Sequence, residues 1–370
     1  MALLDRTRNR RRRTLILGTA AAIALLAVAG PSRAMAADTP LAALDASDGA
    51  NPVGVEPGAP PGSRASRPGR PVADAGGGYI YRNGRYTPLD TVDGLFTTHL
   101  AINNRRQTTG PYFRGEPGPD LDVGGFIRSP RGAYSRFDVA PGPSTWPFDI
   151  NDRGSVVGAY GNAATGEGGP FLRQPNGVVT TVKVPGASIN DVKGINNRGA
   201  VVGNYLDADG VDHAFLMDRG RVTTLVPPDA PDDPAAANVY VHDLNDRGQV
   251  VGCHADANGT YHGFVYDKGR FTRIDPPGGA DLPTYATTCA FGINNRGQVV
   301  GQYVDAGSVL HGYLWQRGRG FETIDPPRGA PIVGPTGIRG TVAADINDRG
   351  QIVLPTPGSF YKGRVAAIGG

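Results

Sequence analysis

From Tyr79 onward the apolar residues fall into short runs broken by Gly, Pro, Asn and Asp. One stretch shows the pattern in full. Cys289-Ala290-Phe291-Gly292-Ile293 is followed by Gln298-Val299-Val300-Gly301-Gln302-Tyr303, then His311-Gly312-Tyr313-Leu314-Trp315, then Gly320-Phe321-Glu322-Thr323-Ile324-Asp325 before Pro326-Pro327. Val, Ile, Thr and aromatic residues dominate these runs, which predicts four strands, here called a to d. Asn294-Asn295-Arg296-Gly297 joins a to b. Asn at the first position of a type I turn bonds the backbone ahead, and Gly at the fourth takes positive φ and forms a bulge. Asp267-Lys268-Gly269-Arg270, between c and d, is predicted to turn in a similar way.

The same string recurs. Counting from the Ile-Asn or Leu-Asn pair, units start at Ile102, Ile150, Ile195, Leu244, Ile293 and Ile346, spaced by 48, 45, 49, 49 and 53 residues. Four antiparallel strands in each repeat of this length predict an all-β fold, a β-propeller of four-stranded antiparallel blades. A blade is covered on both faces by its neighbours, so its strands carry apolar residues on both sides, as Val250-Val251 and Val299-Val300 do. The rival, an open stack of sheets, needs polar caps at its ends, and no polar capping repeat is present. Six units predict six blades, with seven as the runner-up. An orphan c–d hairpin, residues 79–90, precedes the first unit, and the last unit stops after its b strand. Pairing the two would tie the chain ends together. The first unit is degenerate, with Arg106 in place of the turn Gly and Thr108-Thr109 in place of Val-Val.

Strand c opens on His213-Ala214-Phe215, His262-Gly263-Phe264 and His311-Gly312-Tyr313. Together with the preceding I-N-[DN]-R-G-x-V-V-G string, these trios resemble the bacterial HAF-type extracellular repeat family, from about Tyr79 to the C-terminus. The match is strong in units three to five and weaker in the others, where the His is absent. The resemblance implies an exported repeat protein and no known reaction.

Composition sharpens this picture at the N-terminus. Arginines from Arg6 to Arg13, the apolar run Leu15 to Gly30 and Ala34-Met35-Ala36 read as a signal peptide over residues 1–36. An uncleaved anchor is the alternative, and Arg12-Arg13 also resembles a twin-arginine signal. Residues 37–77 are rich in Pro, Gly and Ala and read as a disordered linker, leaving 78–370 as the repeat domain. Seven of the 37 Lys and Arg and one of the 34 Asp and Glu lie in residues 1–36, so the remaining chain has a net charge near −3. A nucleic-acid role loses its electrostatic support, and no second apolar run is long enough to span a bilayer. The expected locale is secreted or cell envelope, by Sec or twin-arginine export, as a monomer.

Candidate chemistry is sparse. The a–b and c–d turns share one rim, where they are short and uniform. The b–c and d–a connections share the other, where they are long and varied, and binding residues favour such loops. Ten residues after each anchor come Tyr112, Tyr160, Tyr205, His254 and Tyr303, with Thr356 at the sixth place. They form a candidate ligand-binding ring for a peptide, protein or glycan, and the plainer reading is packing between blades. Cys253 ends strand b of the fourth unit and Cys289 begins strand a of the fifth, on one rim of adjacent blades. Export permits oxidation, so a Cys253–Cys289 disulfide is predicted. The three motif histidines, one to a blade, are too widely separated for one zinc and read as local hydrogen bonds. Asp207-Ala208-Asp209-Gly210 lacks the spacing of a calcium loop. No metal and no cofactor are expected. Nucleophile-elbow, zincin, C-x-x-C and phosphate-loop strings are missing. Asp149, Asp243 and Asp345 precede their anchors in alternate units. They are either channel carboxylates or acceptors for neighbouring turn amides, the second being favoured. Two readings follow: a non-catalytic binding propeller, or a polysaccharide hydrolase or lyase with its site at the channel mouth.

Overall fold

The structure is a computed structural model that describes residues 76–114, 122–139, 144–161, 168–184, 187–231, 238–279, 288–326 and 340–355. The signal-peptide reading, nearly all of the linker and Thr356 lie outside these residues. Among the described residues there is no helix, and the strands build six blades in five sheets, blades 2 and 3 being joined by a parallel bridge between Val123 and Ser144. Blades 4, 5 and 6 are complete antiparallel meanders. In blade 5, Tyr240–Leu244, Val250–Ala255, Tyr261–Asp267 and Arg270–Ile274 lie side by side in chain order. Blade 4 runs from Ser188–Ile195 to Arg221–Leu225 and blade 6 from Thr288–Ile293 to Gly320–Ile324. Blade 3 spans Ser144–Ile150 to Val179–Thr181. Blade 2 has its a strand in two pieces, Thr97–Thr98 and Ala101–Ile102.

Blade 1 is the clasp. Asp345–Ile346 and Ile352–Leu354 supply strands a and b, and Tyr79–Arg82 and Arg85–Pro88 supply c and d. Tyr79, Ile80 and Tyr81 pair with Leu354, Val353 and Ile352. One sheet thus joins the two ends of the domain. The count is six blades. Gly76–Gly77, assigned to the linker, forms a short parallel strand against Thr97–Thr98.

The Val-Val pair explains the packing. Successive strand residues face opposite sides, so each pair serves two interfaces. Val250 packs towards blade 4 with Val202, Leu225 and Val241. Val251 packs towards blade 6 with Ile293 and Val299. Val300 continues the series into blade 1 with Ile346 and Ile352. Fully burying each such side chain stabilises the fold by roughly 1.5–3 kcal/mol.

The a–b turns match expectation. Asn245 Oδ1 accepts the amides of Arg247 and Gln249 at 3.0 and 3.1 Å, and Gly248 has φ +78°. In blade 2, Arg106 takes the Gly place and keeps its positive φ of 61°. The c–d turns of blades 2 and 3 keep the a–b hydrogen-bond pattern, and three others differ from it. Asn83-Gly84, Arg219-Gly220 and Lys268-Gly269 have positive φ at both central positions. They are two-residue type I′ turns, whose twist matches the strands they join.

Candidate functional site: the axial cavity

The innermost strands meet around the axis, and in blades 3 to 6 a bulge decides what they present. The Gly of each V-V-G string creates it. A Cβ at Gly158, Gly203, Gly252 or Gly301 would overlap the carbonyl oxygen of Trp146, Asp191, Tyr240 or Cys289. The bare backbone lets strand a crowd onto strand b, and the register slips at Phe148, Lys193, His242 and Phe291. These residues meet their counterparts in the next blade. Lys193 Nζ lies 3.8 Å from the centre of the Phe148 ring. His242 and Phe291 meet edge to face at 4.8 Å. Burial holds Lys193 below its ordinary range, against the opposing pull of Asp191 at 3.0 Å. Burial, with help from the Lys193 charge, lowers His242 to about 3.

Below the bulges, the first Asn of each turn builds a closed hydrogen-bonded circle. Asn103 Nδ2 donates to the carbonyl of Asn151 at 2.9 Å, Asn151 to Asn196, Asn196 to Asn245, Asn245 to Asn294, Asn294 to Asn347, and Asn347 back to Asn103. The second turn residue makes another circle, alternating Asn and Asp: 104, 152, 197, 246, 295 and 348. Each backbone N–H donates to the next side-chain oxygen at 2.7–2.9 Å. Each Asn amide also bridges both flanking carboxylates, as Asn197 Nδ2 does with Asp152 and Asp246 at 2.9 Å. Donors and acceptors alternate, so no two acids are adjacent. The alternation is plain in the sequence, but only closure gives it a role.

A third circle lies behind it. Asp149, Asp243 and Asp345 occupy blades 3, 5 and 1, and Ala101, Gly194 and Gly292 fill the same place between them. Asp149 Oδ1 accepts the N–H of Ile150 at 2.6 Å and Oδ2 that of Ile195, one blade on, at 2.7 Å. Asp243 bridges Leu244 and Ile293, and Asp345 bridges Ile346 and Ile102. The small neighbour is required, because a Cβ at Gly194 or Gly292 would crowd the Asp243 or Asp345 backbone at 2.9 or 2.8 Å. The two sequence readings of these acids therefore merge: they line the axis and they hold amides. Together with the Asn and Asp circles they line a polar cavity of about 70 Å³. Burial pushes Asp149 up to about 6 and Asp345 to about 8, aided by the other carboxylates, and raises Asp243 well above the usual range.

The remaining candidates lie near the loop rim. Tyr112, His254 and Tyr303 are buried, and Tyr160 and Tyr205 are half-buried. Tyr205 and Tyr303 direct their hydroxyls to Thr224 and Thr323 and lay their rings against His213 and His311. Tyr112 accepts a bond from Arg114, and His254 Nε2 lies 2.8 Å from Asp229. Two of the motif histidines each join two segments of their own blade. His262 lies 2.9 Å from Asp275 and 3.3 Å from Asp256, and His311 sits likewise between Asp325 and Asp305. Burial alone would lower both, but their acid partners outweigh it and leave both raised. Asp207 caps its own turn through Asp209 and Val211 and holds His213 at 2.8 Å. Cys253 and Cys289 form a disulfide between blades 5 and 6, with Cα atoms 4.9 Å apart. His242 Nε2 lies 3.9 Å from Cys253 Sγ. These three form a cluster with metal-ligand spacing, in which the disulfide occupies both sulfurs.

No family model matches this chain, and no curated protein matches it. Solved structures similar to it include TolB from Acinetobacter baumannii, at 16% identity and TM-score 0.45, covering 67% of this chain. The match spans 63% of TolB's length. A catalytically inactive virginiamycin B lyase from Staphylococcus aureus with quinupristin is 11% identical, with TM-score 0.38, over 74% of this chain and 85% of that one. The six-bladed fucose-recognising lectin of Aleuria aurantia is 10% identical, with TM-score 0.36, over 63% and 80%. At such identities the likeness concerns the blade arrangement alone.

Proposed function

We propose that this chain is an exported, non-catalytic binding propeller that recognises a protein, peptide or glycan on its loop rim. The state of the axial acids carries this reading. Asp149, Asp243 and Asp345 are the acids a hydrolase or lyase would draw on at the axis, and each is engaged by two backbone amides. A carboxylate held that way is an element of architecture. The loop rim offers the variety that recognition needs, including a polar cluster of Asp229, His254, Arg273 and Asp275. The disulfide fits an oxidising compartment, and the HAF-type resemblance supports export.

The test is a glycan and peptide array probed with the oxidised protein, repeated with Arg273→Ala and Asp229→Ala. Selective binding weakened by these substitutions supports the reading. Cleavage of a polysaccharide, abolished by Asp243→Asn in a variant that still folds, overturns it in favour of the enzyme.

A further inference from the structure

The near-zero net charge conceals a division by rim. The third residue of every a–b turn is an arginine: Arg105, Arg153, Arg198, Arg247, Arg296 and Arg349. All six are exposed. They lean along the circle, so that a Cβ on Gly248 would lie 3.6 Å from Arg198 Nη2, and one on Gly297 would lie 3.3 Å from Arg247 Nη2. An outer circle of cations comes from the c–d turns, among them Arg219 and Arg221, Lys268 and Arg270, and Arg317 and Arg319. Among the described residues none of these cations forms an ion pair; the paired ones are Arg114, Arg128, Arg136, Lys193 and Arg273. The acids on this rim are fewer: Asp152, Asp246 and Asp348 are committed to neighbouring amides, and Asp218 and Asp267 stand at the c–d turns, Asp267 accepting from Gln249. The opposite rim carries the compensating acids, with Asp207, Asp256 and Asp305 in b–c turns and Asp229, Asp275 and Asp325 beyond the d strands.

The shape of this basic face narrows its partner. Every turn on it is short, and the cations spread over two concentric circles rather than along a groove. A linear polymer needs a track, whereas a planar array of anions meets all of these charges together. Guanidinium forks suit phosphate. Val178 and Val179, 54% and 40% exposed, stand on the same rim beside the blade 3 turn. We propose that this rim docks flat on an anionic phospholipid surface, independently of the partner held on the loop rim. Each Lys or Arg near such a surface strengthens binding about fivefold.

The test is co-sedimentation of the oxidised chain with vesicles of phosphatidylcholine, with and without phosphatidylglycerol, from low to high salt. Salt-sensitive binding to the anionic vesicles alone is expected. The triple variant Arg198→Gln, Arg247→Gln, Arg296→Gln should weaken it about a hundredfold. Lys183→Gln, just beyond the blade 3 d strand on the loop rim, should leave it unchanged. Thermal melting of each variant separates lost binding from lost folding. Equal binding to neutral vesicles, no vesicle binding, or full binding by a folded triple variant overturns the proposal. So does binding to a soluble polyuronate without binding to vesicles, which would give the rim to a polymer instead.

Discussion

Asn347 donates its side-chain amide to the carbonyl of Asn103 at 3.1 Å across 244 residues of chain. That bond completes the circle begun by Asn103 and Asn151, beside the sheet that holds the chain ends. The same side chain caps its own turn, accepting the amides of Arg349 and Gln351.

Asn347→Ala removes both roles and strands buried groups, which costs about 2 kcal/mol. Asn347→Asp keeps the cap acceptor but turns a buried carboxylate towards the Asn103 carbonyl and the Gln351 side-chain oxygen, so at pH 7 it should cost at least as much. Urea denaturation of both variants measures the difference. An Asp variant as stable as the parent would show that the interblade bond contributes nothing.

The alternating circle makes a charge prediction. Asn197→Asp sets a third acid between Asp152 and Asp246 and removes the amide that bridges them. Like charges at that spacing disfavour ionisation. The variant should be destabilised at pH 7 and recover much of the loss near pH 4, where the acids take up protons. Thermal melts at the two pH values check this.

Gly301→Ala and Gly269→Ala separate bulge from turn. At Gly301 a Cβ would overlap the Cys289 carbonyl, which forces the blade 6 backbone to move. At Gly269 there is open space, and only its φ of +88° opposes a side chain. The expected costs are about 3 kcal/mol or more for the first and about 1 kcal/mol for the second.

Opening the disulfide should cost about 4 kcal/mol, as expected for a closure across 36 residues. Replacing both cysteines by Ala, followed by urea denaturation, tests the magnitude. Thiol counting by mass spectrometry, with and without reductant, tests the bond itself.

Asp345 and its two counterparts predict a pH slope. Their folded-state values lie above the ordinary carboxylate range, at about 8 for Asp345 and about 6 for Asp149. Between about pH 4 and those values the folded protein retains protons that the unfolded chain has released. Stability from this group is therefore full below about pH 4 and lost as pH rises through the folded values. Asp345→Asn removes one charge and should flatten the slope between pH 4 and 8 relative to the parent. An unchanged slope would show that the axial acids do not titrate as a buried group.

Much of this was legible before the structure. The Ile-Asn anchors located the blades, and the orphan hairpin at Tyr79 pointed to the clasp with Ile352–Leu354. Cys253 and Cys289 could be paired from strand order alone, because strand b of one blade and strand a of the next share a rim. The register of Tyr112, Tyr160, Tyr205, His254 and Tyr303 was equally visible, but their partners were not. A hydroxyl such as that of Tyr303 is satisfied by a threonine on another strand, twenty residues away.

By itself the sequence determined the strands, the a–b turns and the repeat, because each depends on residues a few places apart, and it left six blades against seven to be decided by the structure. Only the tertiary structure decided what the repeated polar residues do. Closure brings six copies of each position to one axis, where Asn faces Asp, three acids share a polar cavity and six arginines share a rim. Those relationships are set by distance across the circle, and spacing along the chain does not encode it.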